Sequence, residues 1–365
     1  MQKDVKLATE KLARLRRFRL RLAALLNRTA ASPPLRPAPE PASQRLERSA
    51  KAKLFHGNAR SDLGSTSPWL MLPAERNFSL YVPEHPLGKD TAPMPLLVMI
   101  HGCKQSADDF ARGTRMNDLA AREGFAVLYA EQSSFANFRR CWNWFEPNTA
   151  AGHGECAIVL EMIVAAKKLA KIDAHRVYAA GMSSGAALAG LLAFHHPDQF
   201  AGVAMHSGLP PLANPSASSA ILAMRNGVRI DTGALAESYW EIQADFPPPL
   251  IVIHGDDDHR VHERNATASM KLWEALWEGA PDGAAPNEMT ALTRNDKALP
   301  AAEGSRAYAQ MDLLRSGRIV ARSVRVAGLA HAWSGGNPEL EFNDARAPDA
   351  SELIWRFLSR QSRSG

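Results

Sequence analysis

A tight turn with a serine at its centre constrains this chain more than any other feature. The turn spans Gly181–Gly185 and has the sequence Gly-Met-Ser-Ser-Gly, with an apolar run on each side of it. Apolar runs of this kind predict a buried strand before the turn and a helix after it. Such a turn is strained, so small residues are needed two positions before and two positions after Ser183, whose hydroxyl is held clear of the sheet. Ser183 is therefore a candidate nucleophile, the alternative being a small residue at a helix start.

A serine hydroxyl needs a base to accept its proton and a carboxylate to orient that base, and the chain offers candidates for both. One strand-like run leads into a loop with three consecutive carboxylates, Asp256, Asp257 and Asp258. A later strand-like run leads into a loop that carries His331. The order Ser183, Asp258, His331 is that of the alpha/beta-hydrolase fold. We predict these three as nucleophile, orienting acid and base. A solvated aspartate turn, another aspartate of the three, or an ordinary loop histidine remain alternatives.

Acyl transfer also needs two N–H donors for the developing oxyanion. The residue after the nucleophile supplies one of them, which predicts the amide of Ser184. The second is expected from the loop that follows the apolar run 95–100, and we predict the amide of Cys103. His101 in the same loop is interpreted as a hydrogen-bonding residue that shapes the loop rather than as a reactive group.

Aromatic residues near these loops are candidates for substrate binding. Trp142 and Trp144, followed by Phe145, lie in a predicted loop after a strand, and Trp333 lies two residues after the predicted base. Aromatic faces suit an apolar ester chain, and an indole N–H can bind an ester oxygen. We predict that the three tryptophans contact substrate, the alternative being that these rings cap the core. His206 ends a predicted strand and is expected at most to line the pocket.

With these motifs the chain resembles the esterase family of short-chain polyhydroxyalkanoate (polyhydroxybutyrate) depolymerases, over roughly residues 75–360. The segments that carry the resemblance are 98–105, 113–117, 141–145, 181–185, 206–208 and 331–336. The resemblance implies an alpha/beta-hydrolase fold and a serine esterase that cleaves hydroxyalkanoate polyester or oligoester bonds through an acyl-enzyme. It assigns the same roles to the three catalytic candidates and the two amides. Feruloyl and acetylxylan esterases are close relatives of this family, so a carbohydrate esterase is the alternative.

The three cysteines are too few for a disulfide scaffold and fit no common zinc site. The resemblance implies a disulfide between Cys103 and Cys141, which leaves Cys156 as a small apolar residue at a helix start. A disulfide implies an oxidising compartment, hence an extracellular or periplasmic location. The first 28 residues do not resemble a cleavable secretory signal, so a cytoplasmic location is the alternative. The predicted chemistry requires no metal and no cofactor.

The basic charge of the chain is concentrated at its start. Residues 1–53 hold 14 basic and 4 acidic side chains, a net charge of +10, while the whole chain carries +5. The rest is therefore mildly acidic, and its charge gives no reason to expect nucleic-acid binding. We predict a basic amphipathic helix at 1–28, a proline-rich linker at 29–53 and a catalytic domain at 54–365. The helix is interpreted as an accessory element or as a contact for an anionic surface. A non-catalytic surface-binding protein is the alternative of another class.

Beyond the linker, strand and helix patterns alternate, which predicts a mostly parallel sheet with helices on both faces. Residues 209–248 are predicted to form an insertion near the pocket. The predicted strands are 78–82, 95–100, 125–129, 176–180, 201–205, 250–253 and 323–326, and the predicted helices are 108–123, 157–171, 186–192 and 351–358.

Overall fold

The structure is a computed structural model that describes residues 52–61, 74–84, 92–212, 217–280 and 291–363. The predicted basic helix 1–28 and the predicted linker up to residue 51 lie outside the described residues. No helix within the described ranges is both long enough and apolar enough to cross a lipid bilayer.

Ten strands of the described chain form one twisted sheet around which the rest is built. They are β1 Lys53–Ser61, β2 Ala74–Val82, β3 Met94–Ile100, β4 Ala126–Ala130, β5 Ile172–Met182, β6 Gly202–His206, β7 Leu250–Gly255, β8 Thr293–Leu299, β9 Tyr308–Arg315 and β10 Arg318–Val326. Their order is β1-β2-β4-β3-β5-β6-β7-β10-β9-β8. The six central strands, β4, β3, β5, β6, β7 and β10, pair parallel with their neighbours in this group. The outer strands β1, β2, β9 and β8 pair antiparallel. The predicted fold class, a mostly parallel alpha/beta sheet, is confirmed.

Helices cover both faces of this sheet. They are α1 Ala107–Thr114, α2 Met116–Glu123, α3 Pro147–Ala150, α4 Gly154–Leu169, α5 Ser184–His195, α6 Ala217–Asn226, α7 Thr232–Ile242, α8 Arg264–Glu278 and α9 Ala350–Leu358. Strand β5 alternates between the two layers: Val177 and Ala179 join the core with α4, α5 and α8, whereas Tyr178 and Ala180 join the core with α1, α2 and α9. This alternation with period two is what a strand buried on both faces requires. Two short strands, β11 Trp333–Ser334 and β12 Asn343–Asp344, form a small second sheet.

Parts of the fold differ from the sequence prediction. The helix predicted over 108–123 is two helices, because Arg115 adopts a left-handed conformation with φ of 53° between α1 and α2. A capping box between Ser106 and Asp109 fixes the start of α1. The antiparallel strands β8 and β9 were not predicted. The region 209–248 does form an insertion, which contains α6 and α7.

Candidate active site

The turn at the end of β5 has the strained geometry that its glycines predict. Ser183 has φ of 56° and ψ of −119°, an unusual conformation for a residue with a side chain. A Cβ atom at Gly185 would lie 2.1 Å from the carbonyl oxygen of Ile100, and one at Gly181 would lie 2.2 Å from the carbonyl oxygen of Gly185. Only glycine allows α5 to start this close to β3 and β5. The turn therefore holds Ser183 in one defined position at the edge of the sheet.

The strand order gathers the other candidates at the same edge. Strands β5, β6, β7 and β10 are consecutive neighbours and run parallel, so the loops after them lie side by side. The N–H of Ser183 donates to the carbonyl oxygen of His206 at the end of β6 (2.9 Å). The N–H of Asp257 donates to the carbonyl oxygen of Leu329, which joins the aspartate loop to the histidine loop (3.2 Å). This edge matches the usual position of ligands in such sheets.

Asp258 and His331 form a hydrogen-bonded pair with little exposure to solvent. Oδ2 of Asp258 lies 2.7 Å from Nδ1 of His331, and Oδ1 accepts the backbone N–H groups of Arg260 (2.9 Å) and Val261 (2.8 Å). Burial alone would raise the pKa of Asp258, yet hydrogen bonds to His254 and His331 hold it well below its usual value. An ionised carboxylate can only accept hydrogen bonds, so Nδ1 of His331 donates a proton to it and Nε2 is left as the ring's acceptor.

Asp256 and Asp257 do not share this geometry. Oδ1 of Asp256 accepts the N–H of Gly328 (2.6 Å), which closes a turn in the histidine loop. The side chain of Asp257 is 58% exposed and pairs with the exposed His259. Of the three aspartates, Asp258 is thus the one that contacts His331.

His254 is a second histidine on Asp258 and was not singled out from the sequence. Its Nε2 lies 2.8 Å from the carbonyl oxygen of Val261 and 3.5 Å from Oδ2 of Asp258. The ring is buried, and its contact with the carboxylate is one of the causes that lower the pKa of Asp258. Its position at the end of β7, four residues before Asp258, is the sequence signal that could have identified it.

Within the described residues, the Ser183 hydroxyl makes no hydrogen bond with His331. His206 links the backbones of the two loops, because its carbonyl oxygen accepts the N–H of Ser183 (2.9 Å) and its Nε2 accepts the N–H of Ser334 in the histidine loop (3.4 Å). Catalytic hydrogen bonds of this type are often long before substrate binds. The structure brings the three candidates to one sheet edge, with the acid–base pair already formed.

The predicted oxyanion donors lie next to Ser183. A Cβ atom at Gly102 would lie 3.3 Å from Cβ of Ser183, so the loop after β3 packs directly against Ser183. Sγ of Cys103 lies 3.5 Å from Oγ of Ser184. Among the described residues, neither the Cys103 N–H nor the Ser184 N–H has a hydrogen-bond acceptor. The two amides are therefore free to bind a negatively charged oxygen.

The loop after β3 is supported by the side chain of His101. Its Nε2 accepts the N–H of Gln132 (3.1 Å), and its Nδ1 lies 2.7 Å from the carbonyl oxygen of Gly102. Burial is the main cause that lowers the pKa of His101 to about 4, so the ring is neutral at pH 7. His101 shapes the loop, as predicted.

A disulfide joins Cys103 to Cys141, with a Cα–Cα distance of 4.1 Å. The backbone N–H of Trp142, the next residue, donates to Oγ of Ser184 (3.3 Å). The disulfide implied by the family resemblance is thus present and ties the loop that ends at Cys141 to the oxyanion loop. Cys156 is a buried free thiol, in agreement with its interpretation as an apolar residue.

A buried carboxylate holds this second loop in place. Oε2 of Glu155 accepts the N–H of Asn143 (2.6 Å), and Oε1 accepts Nε2 of Gln132 (2.6 Å) and Nδ2 of Asn143 (2.9 Å). Nη2 of Arg76 lies 3.4 Å from Oε1 and completes a buried ion pair. Burial raises the pKa of Glu155, and the hydrogen bonds and the Arg76 charge lower it by a smaller amount. Sequence reasoning missed Glu155, although an acidic residue on the apolar face of a helix is a visible signal.

Glu155→Leu is expected to lower the free energy of unfolding by about 3 kcal/mol, because it leaves Arg76 buried without its partner. Urea unfolding measures this loss. Glu161→Leu is the matched control, since Glu161 is exposed on the same helix, and it should change stability by less than about 0.5 kcal/mol. Equal effects of the two substitutions would contradict a structural role for the buried carboxylate.

The three tryptophans that are predicted to contact substrate are all buried. Trp142, Trp144 and Trp333 are 0%, 5% and 1% exposed. The ring of Trp333 stacks on His206 at 4.9 Å between centroids, and its Nε1 donates to Oγ of Ser351. A buried ring cannot reach a substrate without a rearrangement, so we interpret these rings as packing behind the loops of the site.

His206 is fully buried and hydrogen-bonds to both the serine turn and the histidine loop. It should make the free energy of unfolding depend on pH. Burial, followed by the nearby His254 and His331, lowers the pKa of His206 from 6.5 to about 3. Between these two pKa values the unfolded chain binds a proton that the folded chain does not. The contribution of His206 to the free energy of unfolding is therefore fully present above pH 6.5 and is lost as the pH falls toward 3. His206→Gln should make this loss shallower by about 1 kcal/mol per pH unit between pH 6 and 4.

Urea unfolding at several pH values measures this slope. His259→Gln is the control, because the His259 side chain is 89% exposed. The interpretation fails if His206→Gln leaves the slope as steep as in the wild type.

The chain is similar to known esterases. Residues 77–276, more than half of the chain, match the family model described as Esterase PHB depolymerase. The chain belongs to this family. The match includes the oxyanion loop, the disulfide, the serine turn and the aspartate loop, whereas the histidine loop lies beyond its end.

Two curated esterases are similar to the chain over about half of its length. The chain is 33% identical to poly(3-hydroxyalkanoate) depolymerase C of Paucimonas lemoignei over 181 residues, which cover 48% of this chain and 44% of that protein. It is 28% identical to feruloyl esterase B of Thermothelomyces thermophilus over 211 residues, which cover 55% of this chain and 70% of that protein. The chain thus spans less than half the length of the depolymerase.

The fold has a solved counterpart. An acetyl xylan esterase from Aspergillus awamori superposes with a TM-score of 0.58 at 17% identity, covering 83% of this chain and 99% of that chain. At this level of identity the likeness concerns the fold alone, and it supports the alpha/beta-hydrolase assignment.

Proposed function

We propose that this protein is a serine esterase that hydrolyses carboxylic esters through an acyl-enzyme. The observation that carries the proposal is the buried Asp258–His331 pair at the sheet edge where the strained turn presents Ser183. A nucleophile, an oriented base and two free amides are the set that acyl transfer needs. Membership of an esterase family supports the same reaction.

In this mechanism Ser183 attacks the ester carbonyl while Nε2 of His331 accepts its proton. The new C–O bond converts the carbonyl into an oxyanion, which the amides of Cys103 and Ser184 bind. Asp258 holds the imidazole in the required tautomer and stabilises its protonated form. Collapse of the intermediate breaks the bond to the alcohol, which takes the proton from His331. Water then attacks the acyl-enzyme in the same way and releases the acid.

We propose short-chain hydroxyalkanoate esters, polymer or oligomer, as the substrates. The family match and the similarity to a poly(3-hydroxyalkanoate) depolymerase support this choice. An ester of a plant polysaccharide is the second candidate, because the similarity to a feruloyl esterase extends over a larger share of both chains.

The disulfide between Cys103 and Cys141 supports placement in an oxidising compartment. The basic segment 1–28 is proposed as a contact for an anionic surface.

A hydrolysis panel separates these candidates. Turnover of hydroxybutyrate oligomers, methyl ferulate and acetylated xylan is compared under the same conditions, with labelling by a fluorophosphonate probe as the measure of a reactive serine. We expect labelling of Ser183 and the highest kcat/KM on the hydroxybutyrate oligomers. A higher kcat/KM on ferulate or acetylxylan would reassign the substrate, and absence of labelling would contradict a serine esterase.

A further inference from the structure

A loop beside the active site exposes two phenylalanines. This rim loop, residues 132–141, joins β4 to the disulfide at Cys141. Phe135 is fully exposed and Phe138 is 87% exposed, the two most exposed of the large apolar side chains in the described part of the chain. Two aromatic side chains within four residues, both left in water, are typical of a surface that contacts another apolar body.

The rim loop is ordered by its own hydrogen bonds rather than by burial of these rings. The N–H groups of Ala136 and Asn137 donate to the carbonyl oxygen of Ser133, each at 3.1 Å, and the N–H of Arg140 donates to the carbonyl oxygen of Asn137 (2.7 Å). Nδ2 of Asn137 donates to Oδ1 of Asn143 (2.9 Å). Because the backbone is held without them, Phe135 and Phe138 contribute little to the packing of the loop.

The rim loop is also attached to the oxyanion loop at three points. The disulfide joins Cys103 to Cys141, the N–H of Lys104 donates to the carbonyl oxygen of Arg139 (2.6 Å), and the N–H of Gln132 donates to Nε2 of His101. A body that contacts the tip of the rim loop is therefore held next to the residues that surround Ser183.

We propose that Phe135 and Phe138 form a docking surface for a solid aliphatic polyester, which they hold at the mouth of the active site. The inference rests on the proposed function, since it assumes that esters are cleaved at Ser183. An aliphatic polyester is uncharged along its chain and presents methylene and methyl groups, which aromatic faces cover well. The Arg139 guanidinium, 6.0 Å from the centroid of the Phe138 ring, adds a hydrogen-bond donor for ester carbonyls at the same tip.

The test separates adsorption from catalysis. Binding of Ser183→Ala protein to amorphous poly(3-hydroxybutyrate) particles is measured by depletion from solution, with and without F135S/F138S. Loss of the two rings should lower the adsorption constant by at least about tenfold, because most of the apolar contact area is removed. In the protein that retains Ser183, the ratio of polyester turnover to p-nitrophenyl butyrate turnover should fall by a similar factor. F135W/F138W should restore adsorption.

L54S/I242S is the matched control. It removes two exposed apolar side chains, 58% and 74% exposed, from the edge strand β1 and the end of α7. It should change adsorption by less than about twofold. Equal adsorption of F135S/F138S and its parent, or an equal loss in the control, would overturn the docking surface.

Phosphatidylglycerol vesicles are the second probe. If F135S/F138S lost binding to the vesicles but not to the polyester, the surface would be a lipid contact and the proposal would be wrong. Adsorption is measured with the Ser183→Ala protein and hydrolysis with the wild type. The docking proposal can therefore be contradicted by the adsorption result even when the wild type hydrolyses soluble esters. Conversely, absence of p-nitrophenyl butyrate hydrolysis by the wild type would contradict the proposed function without affecting the adsorption result.

Discussion

Ser183→Ala should lower kcat for a short p-nitrophenyl ester by about a million-fold. The substitution removes the only atom that forms the covalent bond to the acyl group, and neither His331 nor the two amides can replace it. The folded structure should persist, because within the described residues the Ser183 hydroxyl has no hydrogen bond to lose. Steady-state kinetics and the thermal midpoint of unfolding measure the two quantities.

Ser184→Ala is the matched control for this result. It changes a serine in the same turn but keeps the backbone N–H that is proposed to bind the oxyanion. The lost hydroxyl accepts the N–H of Trp142, so we expect a decrease within about tenfold. Retention of more than about one hundredth of wild-type kcat by Ser183→Ala would exclude Ser183 as the nucleophile.

Asp258→Asn should lower kcat by about ten-thousand-fold. The amide of asparagine can donate to Nδ1 of His331, which then holds the imidazole with its proton on Nε2. In that tautomer the ring cannot accept the proton of Ser183. The carboxylate that stabilises the imidazolium is also lost, so the effect exceeds that of a misplaced side chain.

The two neighbouring aspartates provide controls within the same loop. Asp257→Asn changes an exposed carboxylate and should leave kcat within about twofold. Asp256→Asn loses an acceptor for the N–H of Gly328 and should reduce kcat by less than about tenfold. A larger loss of kcat for either control than for Asp258→Asn would show that Asp258 is not the residue that orients His331.

Some features of the site follow from short segments and were accessible from the sequence. Gly181 and Gly185 predict a strained turn because no residue with a side chain fits where α5 starts against β3. The apolar run 95–100 predicts a strand buried on both faces, and β3 is completely buried. Neighbouring residues carry enough information for such predictions, because they concern local sterics and burial periodicity.

Other features depend on contacts between distant segments. The burial of Trp142 and Trp333 favours the alternative that these rings pack in the core, since an aromatic residue near a predicted catalytic loop has the same sequence pattern whether it faces solvent or the core. The break at Arg115 was missed for a related reason. The pattern 108–123 is helical throughout, and the left-handed residue between α1 and α2 is stable only in its tertiary setting.

The amino-acid sequence predicted a mostly parallel alpha/beta sheet, a serine held in a strained turn, and the order of three candidate catalytic residues. These are properties of short runs of residues, and glycine spacing and buried strands express them directly. The tertiary structure decided which aspartate meets His331 across 73 positions, that Glu155 supports the loop beside the oxyanion amides, and that Phe135 and Phe138 stay in water. Such outcomes depend on how segments distant in the sequence pack together, and a local sequence pattern does not predict those contacts.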